Sequence, residues 1–224
     1  MVDLTEITSA KHVVLVCDAE SFANASALYT YVLTQHKKVS LLSAEELPMR
    51  LAFLPWFEKI RLREPSAADY QLRVTNRTLD LIQVFETQAV KMNEKMATAL
   101  YAGLLLEYDF FKSASCGSAV FSAAAKLVGL NAAHSVCMKY LLFSQPLSLF
   151  RIRALLFKKL RLVENATVAL LSFCDEDLQS SGADMGELIS VMDEVLMLVH
   201  VKEVRLVKSD ANNQLIKSLK GKIV

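Results

Sequence analysis

Four histidines are the residues of this chain most suited to metal-dependent hydrolysis: His12, His36, His134 and His200. His134 has Cys137 at helical spacing, but a zinc site needs further ligands that no neighbouring residue supplies. Glu203 follows His200 by three residues, and such residues point to opposite faces of a strand. We therefore interpret the histidines as surface or core-edge side chains.

The cysteine and serine spacings do not indicate a nucleophile. Cys17, Cys116, Cys137 and Cys174 have no CxxC spacing, which is typical of free thiols in a reducing compartment. The stretch Ser115-Cys-Gly-Ser118 lacks the Gly-x-Ser-x-Gly spacing of a nucleophile elbow. We predict that it begins a helix.

A basic amphipathic stretch runs from Arg151 to Arg161. Its candidate anion- or partner-binding residues are Arg151, Arg153, Lys158 and Lys159. Such a stretch binds nucleic acid, an acidic lipid surface or an acidic protein, or it is the solvated side of a helix. We favour the solvated helix, with the core formed by Ile152, Leu155, Leu156 and Leu160. Phe157 is the one interleaved aromatic residue, which gives little support to base stacking.

Composition excludes two broad classes of protein. The 224 residues include 25 Lys and Arg against 24 Asp and Glu, and 53% are apolar. A net charge of +1 argues against non-specific nucleic-acid binding, so we do not expect nucleic acid among the partners. The apolar run from Met96 to Leu106 is far shorter than the ~20 residues that span a bilayer. Met1 to Glu6 lacks the features of a signal peptide, so we predict a cytoplasmic protein with no membrane span.

Hydrophobic periodicity predicts the elements that position these residues. A strand at 12–17, a helix at 21–36 and a strand at 38–42 form a βαβ unit, which implies a parallel sheet. Helices are predicted at 78–101, 117–128 and 147–160. Beyond Asn165 the pattern predicts a small α+β unit, with strands at 167–173, 201–207 and 214–219 and a helix at 185–198.

Four segments carry a family resemblance: Ser26–Leu33, Lys37–Leu42, Leu51–Ile60 and Lys95–Leu105. They resemble the DHH phosphoesterases, in particular the small oligoribonuclease or nanoRNA phosphatase relatives of RecJ. The segments 155–163, 184–188 and 201–207 resemble the first part of the C-terminal domain of that family. The resemblance implies an α/β fold, with a parallel doubly wound sheet and flanking helices in residues 1–143. It assigns residues 144–224 to a connector helix and a truncated α+β domain.

The family activates water with two Mn²⁺ ions held by carboxylates and imidazoles. Its motif His-x-x-Pro-Asp-x-Asp-Ala-x-Gly-Ser aligns here with Val16 at the His, Glu20 at the first Asp and Phe22 at the second. Two of the three ligand positions therefore cannot bind metal. We interpret the remaining carboxylates, Asp18 and Glu20, as polar residues of a strand-to-helix turn, with Asp18 or Ser21 capping the helix.

The resemblance places the other ligands in segments that have also changed. The Asp-His-His motif should lie within residues 61–76, which contain no histidine. We infer a deletion of one or two strands together with the motif. A fourth ligand position falls on Glu107, followed by Tyr108 and Asp109 where the family has Thr-Gly, and a single carboxylate makes a poor site. The family's phosphate-gripping Gly-Gly-Gly-His loop has no counterpart in Lys220–Val224.

These losses favour a catalytically inactive relative that acts as a scaffold or protein-interaction subunit and needs no cofactor. One alternative is a phosphoesterase acting on short oligoribonucleotides or nucleotides, with Mn²⁺ held by Asp18, Glu20, Glu107 and Asp109. Another is a non-catalytic nucleotide-sensing module. Loss of strands would leave apolar surface to be covered, so we expect a protein partner or a homo-oligomer.

Overall fold

The computed structural model describes residues 4–63, 65, 68–211 and 214–221. The chain divides into two compact units, Met1–Ser144 and Gln145–Val224. Each unit contains one four-stranded sheet and its own apolar core.

The sheet of the first unit is entirely parallel. Its strands are β1 (His12–Cys17), β2 (Lys38–Ser43), β3 (Ile60–Arg61) and β4 (Tyr70–Arg73), in the order β3-β2-β1-β4. The chain moves outward from β1 to β2 and β3, then returns to the other side of β1 to form β4. The carboxyl ends of β1 and β4 therefore meet at a topological switch point, where open α/β sheets form a crevice.

The described residues of the first unit form six α-helices. They are α1 (Leu4–Ser9), α2 (Phe22–Thr34), α3 (Thr78–Thr87), α4 (Glu94–Glu107), α5 (Ser118–Gly129) and α6 (His134–Met138), and a π-helical turn follows at Lys139–Phe143. Every residue from 22 to 32 of α2 and from 96 to 105 of α4 is buried, as expected for helices that are apolar or small on all sides. The parallel α/β fold with flanking helices is confirmed.

Two details of the first unit differ from prediction. The predicted helix at 78–101 is two helices, because Ala89 has φ +50° and Asn93 starts α4 by accepting a hydrogen bond from the Met96 N–H at 3.0 Å. We inferred a loss of strands within residues 61–76, and the structure has β3 at the start of this interval and β4 inside it. Both are edge strands, with two and four residues, too short for a clear alternating pattern.

The second unit has a mixed sheet in the order β5-β6-β7-β8. Its elements are α7 (Leu147–Lys159), β5 (Arg161–Val163), β6 (Val168–Phe173), α8 (Asp175–Ser181), α9 (Met185–Val195), β7 (Glu203–Lys208) and β8 (Gln214–Lys220). β6 and β7 are parallel, and the two outer pairs are antiparallel. The core is built from the inward side chains of β6 and β7 and from apolar residues of α7 and α9. This is the small α+β unit that the sequence predicts.

His200 lies in the turn before β7 and not on a strand, because β7 begins at Glu203. Residues 222–224, part of the segment that we compared with the family's phosphate loop, lie outside the described residues. Within the described ranges, no single helix has the length and apolarity to cross a bilayer. The helical segments 118–129 and 134–143 meet that criterion only as a pair, and the pair is bent by 118°.

Candidate functional site

The carboxyl ends of β1, β2 and β4 surround a crevice of about 230 Å³. Its charged lining residues are Asp18, Glu45, Glu46 and Arg73. Asp18 follows β1, the two glutamates follow β2, and Arg73 ends β4. Sheet topology alone brings these residues together, at the position where ligands bind in open α/β proteins.

Asp18 is held by the turn that joins β1 to α2. Its Oδ1 accepts hydrogen bonds from Ser21 Oγ at 2.7 Å and from the Ser21 N–H at 2.9 Å. In return, the Asp18 N–H donates to Ser21 Oγ at 3.0 Å. The hydrogen bond from the Ser21 hydroxyl is the main cause that lowers the pKa of Asp18. The Asp18 carboxylate therefore stabilises this turn. Glu20 lies on the same turn and is exposed.

Glu107, at the end of α4, interacts with a helix that begins 29 residues earlier in the chain. Its Oε2 accepts a hydrogen bond from the Thr78 N–H at 2.7 Å. Thr78 is the first residue of α3, where backbone N–H groups have no partner within the helix. The half-buried carboxylate thus caps α3. Asp109 is exposed, and its Oδ2 lies 3.1 Å from Lys112 Nζ.

We predict that Glu107→Ala lowers the free energy of unfolding by about 1 kcal/mol, because it removes the carboxylate acceptor at the start of α3 and leaves the Thr78 N–H with the Asn76 carbonyl, at 3.0 Å, as its acceptor. Urea denaturation followed by the fluorescence of Trp56, the single tryptophan, measures this change. Asp109→Asn is the matched control, because it removes an exposed carboxylate and retains a residue that tolerates the left-handed φ of +45°. Equal stability of wild type and Glu107→Ala would show that Glu107 does not cap the helix.

The other candidate ligands do not converge with these carboxylates. In the described part of the chain, no group of three His, Cys, Asp or Glu side chains is placed to hold a metal ion. The residues after β4 are Val74, Thr75, Asn76 and Arg77, which include no histidine or carboxylate. His12 lies within hydrogen-bonding distance of Ser40, and His134 of Tyr101. The donor set therefore does not fit a two-metal centre.

One buried side chain of α2 has unused hydrogen-bonding capacity. Asn24, 1% exposed, donates from Nδ2 to the Thr75 carbonyl at 2.8 Å, and its buried Oδ1 has no hydrogen-bond partner. Gly103 of α4 packs so closely that a Cβ there would lie 2.9 Å from this Oδ1. Close helix packing thus leaves no space for a ligand between Asn24 and α4.

Sequence reasoning did not find Glu45, Glu46 or Arg73 as residues of the crevice. A signal existed for the two glutamates, because they follow a predicted strand of a parallel sheet and must lie at its carboxyl edge. Arg73 had no such signal, because β4 was not predicted.

Two of the four basic candidates of α7 form ion pairs in the structure, and the other two are exposed. Arg153 forms an ion pair with Glu194, and Lys159 Nζ contacts both oxygens of Asp177, at 2.8 and 2.6 Å. The hydrogen bond to Asp177 raises the pKa of Lys159. Burial opposes ionisation of Asp177, but the hydrogen bonds from Lys159 and Cys174 outweigh it and lower the pKa of Asp177. Arg151 and Lys158 are exposed, so they are the two candidates on the solvated side.

No family model matches the sequence, and no curated protein matches it either. Among solved structures, an exopolyphosphatase-related protein from Bacteroides fragilis superposes with a TM-score of 0.77. The chain shares its fold. The match covers 93% of this chain and 79% of that one, at 12% sequence identity. A putative family II inorganic pyrophosphatase from Methanococcus jannaschii aligns over 88% of this chain and 64% of that one at 11% identity, with a TM-score of 0.31, too low to establish a common fold.

Proposed function

We propose that the chain is a relative of the DHH phosphoesterases, of the RecJ and nanoRNA phosphatase type, that does not hydrolyse phosphate esters. In this proposal it acts as a scaffold or protein-interaction subunit. The fold shared with an exopolyphosphatase-related protein supports the superfamily. The capping of α3 by Glu107 carries the proposal of inactivity, because the carboxylate at the family's fourth ligand position is engaged in the architecture of the fold.

The charge of the crevice also supports this proposal. A phosphate ester entering it would face the carboxylates of Asp18, Glu45 and Glu46, with Arg73 as the one cation in the lining. Active phosphoesterases of this kind neutralise such charge with metal ions.

Exposed apolar side chains support an interaction role. On α5, Phe121 and Val128 are about half exposed, seven residues apart on the outward face. In the second unit, Met197, Leu198 and Val199 form a consecutive exposed run, with Val199 92% exposed. Contiguous exposed apolar groups commonly mark protein interfaces. Free thiols at Cys17, Cys116, Cys137 and Cys174 are consistent with the cytoplasm that we propose as its location.

We expect the purified protein, incubated with Mn²⁺ and desalted, to retain no stoichiometric metal and to cleave no dinucleotide above the buffer rate. Metal analysis and chromatographic assay of mononucleotide release measure this, with an active DHH phosphoesterase in parallel. Stoichiometric Mn²⁺ together with turnover that is lost in Glu20→Ala would overturn the proposal and establish the enzymatic alternative.

The same preparation distinguishes the two non-catalytic roles. Sedimentation at micromolar concentration tests for self-association, and thermal unfolding in the presence of mononucleotides tests for nucleotide binding. An oligomer without a nucleotide-dependent shift supports the interaction role. A monomer whose unfolding temperature rises with one nucleotide would instead support the nucleotide-sensing module.

A further inference from the structure

A cluster of three functional groups in the second unit lies outside the crevice. Lys159 is the last residue of α7, Cys174 directly follows β6, and Asp177 lies in the first turn of α8. Lys159 Nζ is 4.0 Å from Cys174 Sγ, and the thiol donates to Asp177 Oδ2 at 3.2 Å. One carboxylate thus holds an amine and a thiol next to each other.

The cluster is held in place and is accessible to small solutes. The Cys174 N–H also donates to Asp177 Oδ2, at 2.8 Å. Asp177 is nearly buried, whereas the Lys159 side chain is 37% exposed and Cys174 is half-buried. The cluster is therefore within reach of a small oxidant such as hydrogen peroxide, and the ion pair holds the amine next to the thiol.

Among the cysteines, this neighbourhood distinguishes Cys174. Cys17 and Cys137 are buried, and burial raises the pKa of each thiol to about 12, which makes them poor nucleophiles. Cys116 is half-buried like Cys174, but its described contacts are a backbone hydrogen bond to Ser113 and packing against the core. Cys116 is therefore a matched reference for a thiol of similar exposure.

We propose that Lys159 and Cys174 form a reversible covalent nitrogen–oxygen–sulfur bridge when the protein meets a peroxide. In the first step, one peroxide oxidises the Cys174 thiol to a sulfenic acid and releases water. In the second step, the Lys159 amine, after losing its ammonium proton to solvent, reacts with the sulfenic acid and a second peroxide. One O–H and one N–H bond break, an O–N bond forms, and the peroxide takes up two electrons and leaves as two waters.

The bridge would link the end of α7 to the start of α8 and close the loop that contains β5 and β6. A cross-link of this kind restricts the unfolded chain, as a disulfide does, and raises the temperature of unfolding. Two equivalents of a dithiol reductant restore both side chains. The first cleaves the O–N bond to give the amine and the sulfenic acid, and the second reduces the sulfenic acid to the thiol and water, each dithiol becoming a disulfide. The second unit would then be more resistant to unfolding under oxidising conditions than under reducing conditions.

The test uses the full chain treated with hydrogen peroxide and analysed by peptide mass mapping. We expect a linked peptide that joins Lys159 to Cys174, heavier by one oxygen and lighter by two hydrogens than the two peptides together. The link should disappear with dithiothreitol and be absent from Lys159→Arg and Cys174→Ser. Arginine keeps the ion pair with Asp177, and serine keeps a donor at the start of α8. Cys116→Ser should retain the link.

Thermal unfolding provides the second measurement. The midpoint of oxidised wild type should exceed that of the reduced protein, and the two states of Lys159→Arg should unfold at the same temperature. The reduced variants, scanned first, show whether each one is folded. Conversion of Cys174 to sulfinic acid with Lys159 unmodified would overturn the proposal, and so would a linked peptide that persists in Lys159→Arg.

Discussion

Gly103→Ala is expected to destabilise the first unit by about 2 kcal/mol. Alanine normally stabilises a helix relative to glycine by about 1 kcal/mol, but here its Cβ would lie 2.7 Å from Thr78 Oγ1 and 2.9 Å from Asn24 Oδ1. Neither group moves freely, because both residues are buried, Thr78 Oγ1 donates to the Asn76 carbonyl and Asn24 Nδ2 donates to the Thr75 carbonyl. Overpacking of a tight contact typically costs about 1–3 kcal/mol.

Urea denaturation monitored by Trp56 fluorescence measures this loss in the unit that contains the substitution. Gly129→Ala is the matched control, because Gly129 ends α5 and no atom lies within 4 Å of a Cβ there. We expect Gly129→Ala to unfold within about 0.5 kcal/mol of wild type. Thr78→Ala in the Gly103→Ala background removes two of the three clashing atoms and should restore part of the stability. If Gly103→Ala proved as stable as wild type, α4 could not be in close contact with α2 and α3.

The elements that sequence reasoning found in the first unit are those with a strong local pattern. β1 and β2 are six-residue, largely buried strands, and the long buried helix α2 separates them. Such runs are recognisable from the spacing of apolar residues alone. β3 and β4 are short edge strands that take their structure from pairing with β2 and β1, so nothing in their local sequence identifies them.

The candidate site was less predictable than the fold, because its geometry depends on contacts between distant residues. The hydrogen bond between Glu107 and Thr78 forms only once α3 packs beside α4. The ion pair of Lys159 with Asp177 joins residues 18 positions apart on different helices. Periodicity assigns a residue to a helix face, but it does not identify the residue opposite it. Contacts between distant residues therefore determine which carboxylates stabilise the fold, and the local sequence does not show them.

The amphipathic helix α7 shows what periodicity does determine. Sequence analysis assigned Ile152, Leu155, Leu156 and Leu160 to the core, and the structure buries Ile152 and Leu156 completely. Leu155 and Leu160 are half-buried and pack against the same core. Phe157, next to Leu156, is 44% exposed. Adjacent residues of one helix thus have very different surroundings, which provides a direct test of the orientation of α7.

Leu156→Ala is expected to destabilise the second unit by about 3 kcal/mol, because it removes a fully buried side chain and leaves a cavity against the sheet. Hydrogen exchange at the β6 and β7 amides should accelerate by about 100-fold, since 1.4 kcal/mol corresponds to a factor of about ten. Phe157→Ala should change stability by about 0.5 kcal/mol, as expected for an exposed position. Equal losses in the two variants would contradict this orientation of α7, because they would mean that Phe157 is buried to the same extent as Leu156.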